Sequence, residues 1–232
     1  MIPLFVKQLL FPDICTSCHK FTSTKNYPLC SECFDSVAIF QTLVCAKCRA
    51  RLSENKKICH QDSYALGVAT SYHKPATQKT IQAIKFKHLD NATPFLASLL
   101  INFTEKLQPP PHILQKSPLV SNIPLSKERL RERGFDQSAL IAQHFAKHFD
   151  LPYKQVLLKI KNTPPQSSLE KKEERQQNVR DVFIAIDAPT KKRTPLILID
   201  DIATTGATLD EAAKTLRQKN YAPILALTVA GS

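Results

Sequence analysis

The apolar residues of this chain follow two rhythms. Short runs or alternations rich in β-branched residues occur at residues 64–72, 119–125, 156–160, 181–186, 196–199 and 223–229, and these read as strands. Elsewhere apolar residues recur every three or four positions. Pro75 opens one such stretch, with Ile81 and Ile84 on a common face. Residues 93–107 carry Phe95, Leu96, Leu99, Leu100 and Phe103, and residues 136–149 carry Leu140, Ile141, Phe145 and Phe149. Leu209, Ala212, Ala213 and Leu216 continue the pattern after the strand at 196–199. These stretches read as amphipathic helices. Strands alternating with helices predict an α/β domain with a mainly parallel sheet flanked by helices. Every cysteine lies ahead of it, which divides the chain into a head, residues 1–62, and an α/β domain, residues 63–232.

Residues 196–208, LILIDDIATTGAT, carry the clearest chemistry. Four continuous apolar residues predict a strand buried on both faces. Two carboxylates follow, Asp200 and Asp201, then a loop of small and hydroxyl residues, then a helix. A helix start offers unpaired N–H groups and the positive end of a dipole, which suits a phosphate. Thr204, Thr205 and Thr208 add hydroxyl donors, and Gly206 permits a positive φ or a close backbone approach. The carboxylates repel a bare phosphate but suit vicinal hydroxyls or hydrated Mg²⁺. A sugar bearing a phosphate and a diol uses both halves of the stretch.

The head contains Cys15-x₂-Cys18, Cys30-x₂-Cys33, Cys45-x₂-Cys48 and a single Cys59, with eleven residues between successive pairs. Two C-x₂-C turns close a tetrahedral Zn²⁺ site, and Cys15, Cys18, Cys30 and Cys33 are the simplest set. So short a segment takes much of its folding energy from the metal. Cys45, Cys48 and Cys59 are one thiolate short of a second site. They are either a degraded site or one closed by a non-cysteine ligand. His60 is near in sequence, but its adjacency to Cys59 is awkward for joint ligation, and His19 is another spare.

With 32 basic and 20 acidic residues the 232-residue chain carries a net charge of +12, which points to an anionic partner. The four glycines, Gly67, Gly134, Gly206 and Gly231, are too few and too scattered for a G-x-G-x-x-G or G-x-x-x-x-G-K-[ST] loop. No apolar run is long enough to span a membrane, and residues 1–15 lack the basic start and cleavage site of a signal peptide. Paired cysteines without secretory features suit a reducing cytoplasm. Residues 126–138, SKERLRERGFDQS, place Lys127, Arg129, Arg131 and Arg133 in a loop between strand and helix, where arginine forks suit a diphosphate. Residues 161–180 are polar and contain a double proline, as a lid does, and carry Lys171, Lys172, Arg175 and Arg180. No acid occurs between Asp62 and Asp90, so Lys74, Lys79, Lys85 and Lys87 form either an anion-binding segment or a solvated basic face. The chain has no Trp, and few Tyr or Phe lie outside apolar patterns, Phe86 and Phe135 beside basic residues being the exceptions, so any binding of single-stranded nucleic acid is expected to be largely electrostatic.

The stretch at 196–208 resembles the phosphoribosyl pyrophosphate (PRPP) signature of type I phosphoribosyltransferases, with Ala203 where a bulkier aliphatic is usual. That resemblance implies a type I phosphoribosyltransferase fold with a small hood. It assigns Asp200 and Asp201 to the ribose hydroxyls, and Ala203, Thr204, Thr205, Gly206, Ala207 and Thr208 to the 5-phosphate loop. The order of a cysteine-rich head, then IPLSKERLRERGFDQS, then NTPPQSSLEKKEERQQNVRDVF, is similar to the ComF (competence protein F) family. The likeness implies a cytoplasmic protein of natural transformation, recruited to the inner membrane surface. The same likeness implies that such a protein handles incoming single-stranded DNA beside a helicase-like partner, with structural Zn²⁺ and with PRPP and Mg²⁺ as ligands. It matches residues 125–134, with Lys127, Arg129, Arg131 and Arg133, to the pyrophosphate loop, and residues 163–180, with Arg175 and Arg180, to the hood loop. Lys85, Lys87, Lys127, Arg129 and Arg131 are the candidate DNA contacts. Two alternatives stand beside DNA handling: a working phosphoribosyltransferase with an unidentified acceptor, and a PRPP-sensing regulator without turnover.

Overall fold

The computed structural model describes residues 14–22, 28–52, 58–87, 92–108, 111–161, 181–186 and 193–231. Most of the expected lid, with Lys171, Lys172, Arg175 and Arg180, lies outside the described residues, as do the side chains of Phe86 and Lys87. In chain order the elements are α1 (Ser31–Asp35), β1 (Leu43–Cys45), β2 (Arg51–Leu52), β3 (Ala65–Ser71), α2 (Pro75–Lys87) and α3 (Thr93–Lys106). Then come β4 (Leu119–Asn122), α4 (Lys127–Arg133), α5 (Gln137–His148), β5 (Leu157–Lys159), β6 (Phe183–Ala185), β7 (Thr194–Ala203), α6 (Ala207–Arg217) and β8 (Tyr221–Gly231).

Six strands form one sheet in the order β2-β1-β3-β8-β7-β4. β3, β8, β7 and β4 run parallel, while the β1–β2 hairpin joins β3 antiparallel, with Val44 opposite Leu66. The apolar run of β7 is continuous because both faces are covered. Ile197 and Ile199 pack with Leu225, Leu227 and Val229 against Leu96, Leu100 and Phe103 of α3 and Ile141 and Phe145 of α5. Leu196 and Leu198 pack the other way, against Leu209, Ala212, Ala213 and Leu216 of α6. Successive strand residues face opposite sides, so an all-apolar strand needs a layer on each. Gly67 lies where β3 passes under α3. A Cβ there would stand 2.6 Å from Phe103 Cε1 and 2.7 Å from Leu227 Cδ2.

The head is packed into the same body. Cys15, Leu29 and Val37 belong to the core cluster of α3 and α5, and the Phe34 and Phe95 rings lie 5.7 Å apart. Lys79 Nζ donates to the carbonyl of Ser17 at 2.5 Å, which fixes the first cysteine turn of the head on α2.

Two expectations need correction. Residues 127–133 are helical rather than an open loop. Ser126 accepts the N–H of Arg129 at the N-cap, Gly134 closes the C-terminus at φ 77°, Glu128 sits in the first turn, and Arg131 and Arg133 sit in the last. Each arrangement complements the helix ends. The strand expected at residues 196–199 runs on to Ala203, because Asp200, Ile202 and Ala203 keep their register with Thr228, Ala230 and Gly231 of β8. β5 and β6 form a separate antiparallel pair, with Leu158 opposite Ile184.

Candidate functional site

The carboxylate pair sits at the carboxyl end of β7, facing the start of α5. Asp201 is 6% exposed; its Oδ2 lies 2.6 Å from Lys85 Nζ and accepts from Gln137 Nε2. Asp200 Oδ1 accepts from Ser138 Oγ at 3.0 Å and from the Asp201 N–H at 2.9 Å. Asp136 caps α5 beside them, accepting the N–H groups of Ala139 at 3.0 Å and Leu125 at 3.1 Å. Three carboxyls are thus gathered where little water reaches. Burial, and then the charge of Asp201, hold the Asp200 carboxyl well above the ordinary carboxylate range. Burial also raises Asp136. Such a cluster wants a cation or hydroxyl donors.

The loop after β7 turns through Gly206, buried at φ 85°, which is the N-cap of α6 and makes no side-chain cap. The Ala207 N–H reaches Thr205 Oγ1 at 3.4 Å, a long contact. The amino end of an eleven-residue helix therefore opens beside the carboxylates. This arrangement suits a ligand with an anionic end and a hydroxyl-rich middle.

Helical geometry divides the four cations of α4. Lys127 and Arg131, four apart, are exposed, while Arg129 and Arg133 are partly buried. Arg133 Nη1 donates to Gln137 Oε1 at 3.3 Å, next to the Asp201 contact. Burial lowers Arg129, followed by the nearby charge of Arg133. Lys159 of β5 completes this group. Burial, and then the charge of Arg129, lower its ammonium, while Asp200 acts the opposite way. Three basic groups therefore stand across from the carboxylates. Reading the sequence did not single out Lys159, Gln137 or Ser138, because only the fold brings them to β7. Lys85, expected on a basic face, is 20% exposed and engaged by Asp201.

The cysteines form two groups. The sulfurs of Cys15, Cys18, Cys30 and Cys33 lie within 4.8 Å of one another, as do those of Cys45, Cys48 and Cys59. Cys18 and Cys30 Sγ are 3.6 Å apart, close to the ~3.8 Å edge of a tetrahedral zinc–thiolate site. The first and third pairs make the same turn. The N–H of His19 donates to Cys15 O at 3.0 Å and that of Arg49 to Cys45 O at 2.8 Å, with φ at 62° and 60°. The N–H groups of Cys15 and Cys45 bond Lys20 O and Ala50 O, both at 2.9 Å. Both groups fit zinc. At the second, His60 Nδ1 stands 3.6 Å from Cys45 Sγ, so adjacency to Cys59 does not keep the imidazole away.

Residues 6–62 match the family model described as a double zinc ribbon domain. Over 210 residues the chain is 25% identical to competence protein F of Haemophilus influenzae, covering 88% of this chain and 84% of that protein. It is 29% identical over 219 residues to competence protein ComFC of Bacillus subtilis, covering 92% and 82%. DNA utilization protein YhgH of Escherichia coli K12 is 23% identical over 228 residues, covering 93% and 96%. Among solved structures, the glutamine PRPP amidotransferase of B. subtilis superposes at a TM-score of 0.37 and 17% identity, over 60% of this chain and 26% of that one. Adenine phosphoribosyltransferase of Leishmania donovani gives 0.36 and 14%, over 64% and 56%. Among the described residues no helix is long and apolar enough to cross a membrane. The chain thus joins a head that matches a double zinc ribbon to a mostly parallel α/β sheet, and over most of its length it is similar to competence protein F and ComFC.

Proposed function

We propose that the chain binds PRPP with Mg²⁺ at the carboxyl end of β7 and acts in the cytoplasm on incoming single-stranded DNA during transformation. The observation that carries the ligand reading is the pairing of two inward carboxylates with an uncapped helix start one short loop away. Asp200 and Asp201 take the ribose hydroxyls and, through water, Mg²⁺. The 204–208 loop takes the 5-phosphate. Arg129, Arg133 and Lys159 take the diphosphate, as forks and a point charge. Lys85, paired with Asp201, belongs to this site rather than to the DNA surface, and Asp200 and Asp201 would be the residues that hold a hydrated Mg²⁺ there. The relatives named for competence and DNA utilization support the cellular role.

Exposed Lys127 and Arg131 are left to meet DNA phosphates, a contact that is mainly electrostatic. A turnover reading remains on the same geometry: pyrophosphate leaves from a site where cations neutralise it and an acceptor attacks the sugar. Titration calorimetry with PRPP and Mg²⁺, followed by a pyrophosphate assay over a nucleobase panel, separates these readings. Binding that is lost in Asp200→Ala/Asp201→Ala, without pyrophosphate release, supports DNA handling or PRPP sensing. Release supports the transferase. Unchanged heats in the double variant refute the site. For DNA, Lys127→Ala/Arg131→Ala lowers the slope of log affinity against log salt by about 1–1.5. Arg129→Ala/Arg133→Ala weakens PRPP more than DNA. An unchanged slope in the first pair places the DNA surface elsewhere.

A further inference from the structure

We propose that the double zinc ribbon completes the ligand site: Arg49, carried by the second ribbon's cysteine turn, is a direct ligand of the phosphomonoester held by the 204–208 loop. This rests on the reading of that loop as a phosphate site. It adds a ligand from a part of the chain that the 196–208 stretch does not contain.

Arg49 Nη2 lies 3.4 Å from the point that a Cβ on Gly206 would occupy. The guanidinium therefore stands directly over the N-cap of α6. Its backbone is held by the cysteine turn, with its N–H on Cys45 O and its φ at 60°, a region that arginine seldom adopts. The first ribbon's identical turn places His19 at the equivalent position. The turn fixes where the side chain starts, and in the second ribbon that start is beside the loop.

Contacts through Tyr64 and Asp62 tie the second ribbon to α6. Tyr64, 2% exposed, donates its hydroxyl to Asp210 Oδ1 at 2.8 Å, and its carbonyl accepts the Ala46 N–H at 3.0 Å. Arg217 Nη1 donates to Asp62 O at 2.7 Å, and its guanidinium lies 5.8 Å from the Tyr64 ring centroid. Asp210 also gives the site an electrostatic need. Its Oδ2 is 4.0 Å from the same Gly206 Cβ point, so it puts a negative charge where an anion is to sit. Arg49 offsets that charge and presents a fork matched to phosphate oxygens. Loss of metal from the second cysteine group, one residue before Arg49, is then expected to weaken the ligand as well as the fold.

The test uses the full chain and calorimetry with three probes: Mg²⁺-PRPP, ribose 5-phosphate and Mg²⁺-pyrophosphate. In Arg49→Ala, with zinc content checked as unchanged, PRPP and ribose 5-phosphate weaken about 10- to 100-fold while pyrophosphate does not change. Arg49→Lys recovers part of the loss. Equal affinity of the variant and the parent protein for ribose 5-phosphate overturns the proposal and leaves the site standing. Equal weakening of pyrophosphate also overturns it, because Arg49 then serves the other end of the ligand. A parent protein that binds neither PRPP nor ribose 5-phosphate refutes the phosphate site itself, and the proposal with it.

Discussion

Replacing Asp200 by Asn tests whether the carboxylate pair is a ligand site maintained at a cost in stability. In the folded chain the Asp200 carboxyl keeps its proton to higher pH than an ordinary carboxyl does, because it is buried beside Asp201. The folded state therefore loses stability as pH rises from the ordinary carboxylate range through the raised value, and above that the loss is complete. Each tenfold difference in proton affinity between folded and unfolded chains is worth about 1.4 kcal/mol. For a chain of this length that corresponds to roughly 3–6 °C in Tm. Asparagine removes the charge but keeps an oxygen to accept from Ser138 and from the Asp201 N–H. Asp200→Asn is thus expected to melt higher than the parent at pH 7.5, with the difference closing toward pH 4. Ligand moves the other way. At a hundredfold excess over Kd, Mg²⁺-PRPP adds about 2.7 kcal/mol to the parent, and tenfold weaker binding removes about half of that. Thermal melts across pH 4–8, with and without Mg²⁺-PRPP, read both effects. An Asp200→Asn protein that melts lower at neutral pH, or by an amount independent of pH, refutes the reasoning.

Two further outcomes are expected. Gly67→Ala puts a methyl group 2.6 Å from Phe103 and costs about 1–3 kcal/mol, read as a lower urea midpoint; an unshifted midpoint means that α3 yields at no cost. His60→Ala lowers zinc retention at the second cysteine group under chelator challenge, while Cys15, Cys18, Cys30 and Cys33 keep theirs; equal retention of both metals excludes His60 as the fourth ligand.

The strongest local signals survive in the fold. The run of residues 196–199 reads as a doubly covered strand because burial on both faces leaves no polar position between its apolar ones. The spacing of Cys15, Cys18, Cys30 and Cys33 determines which thiols can meet, and they do. What failed to show was placement through space. Nothing near Lys159, Gln137 or Ser138 marks them as neighbours of Asp200 and Asp201, since β5 and α5 reach β7 only through the crossovers of the sheet. The helix at Lys127–Arg133 was open to detection. Ser126 and Gly134 flank it as cap and stop, and the alternation of its cations with Glu128 and Glu132 obscured the four-residue spacing that sorts them.

The antiparallel junction between β1 and β3 has a consequence for how this protein can be dissected. Without the head, β3 becomes an outermost strand, and its residues Ala65–Gly67 lose the partners that β1 gave them. A strand bared in this way templates pairing with other chains. Trimming the cysteine-rich segment to obtain the α/β domain alone therefore invites self-association. Metal chelation that frees the β1–β2 hairpin carries the same hazard, so the ribbon protects the solubility of the sheet it extends.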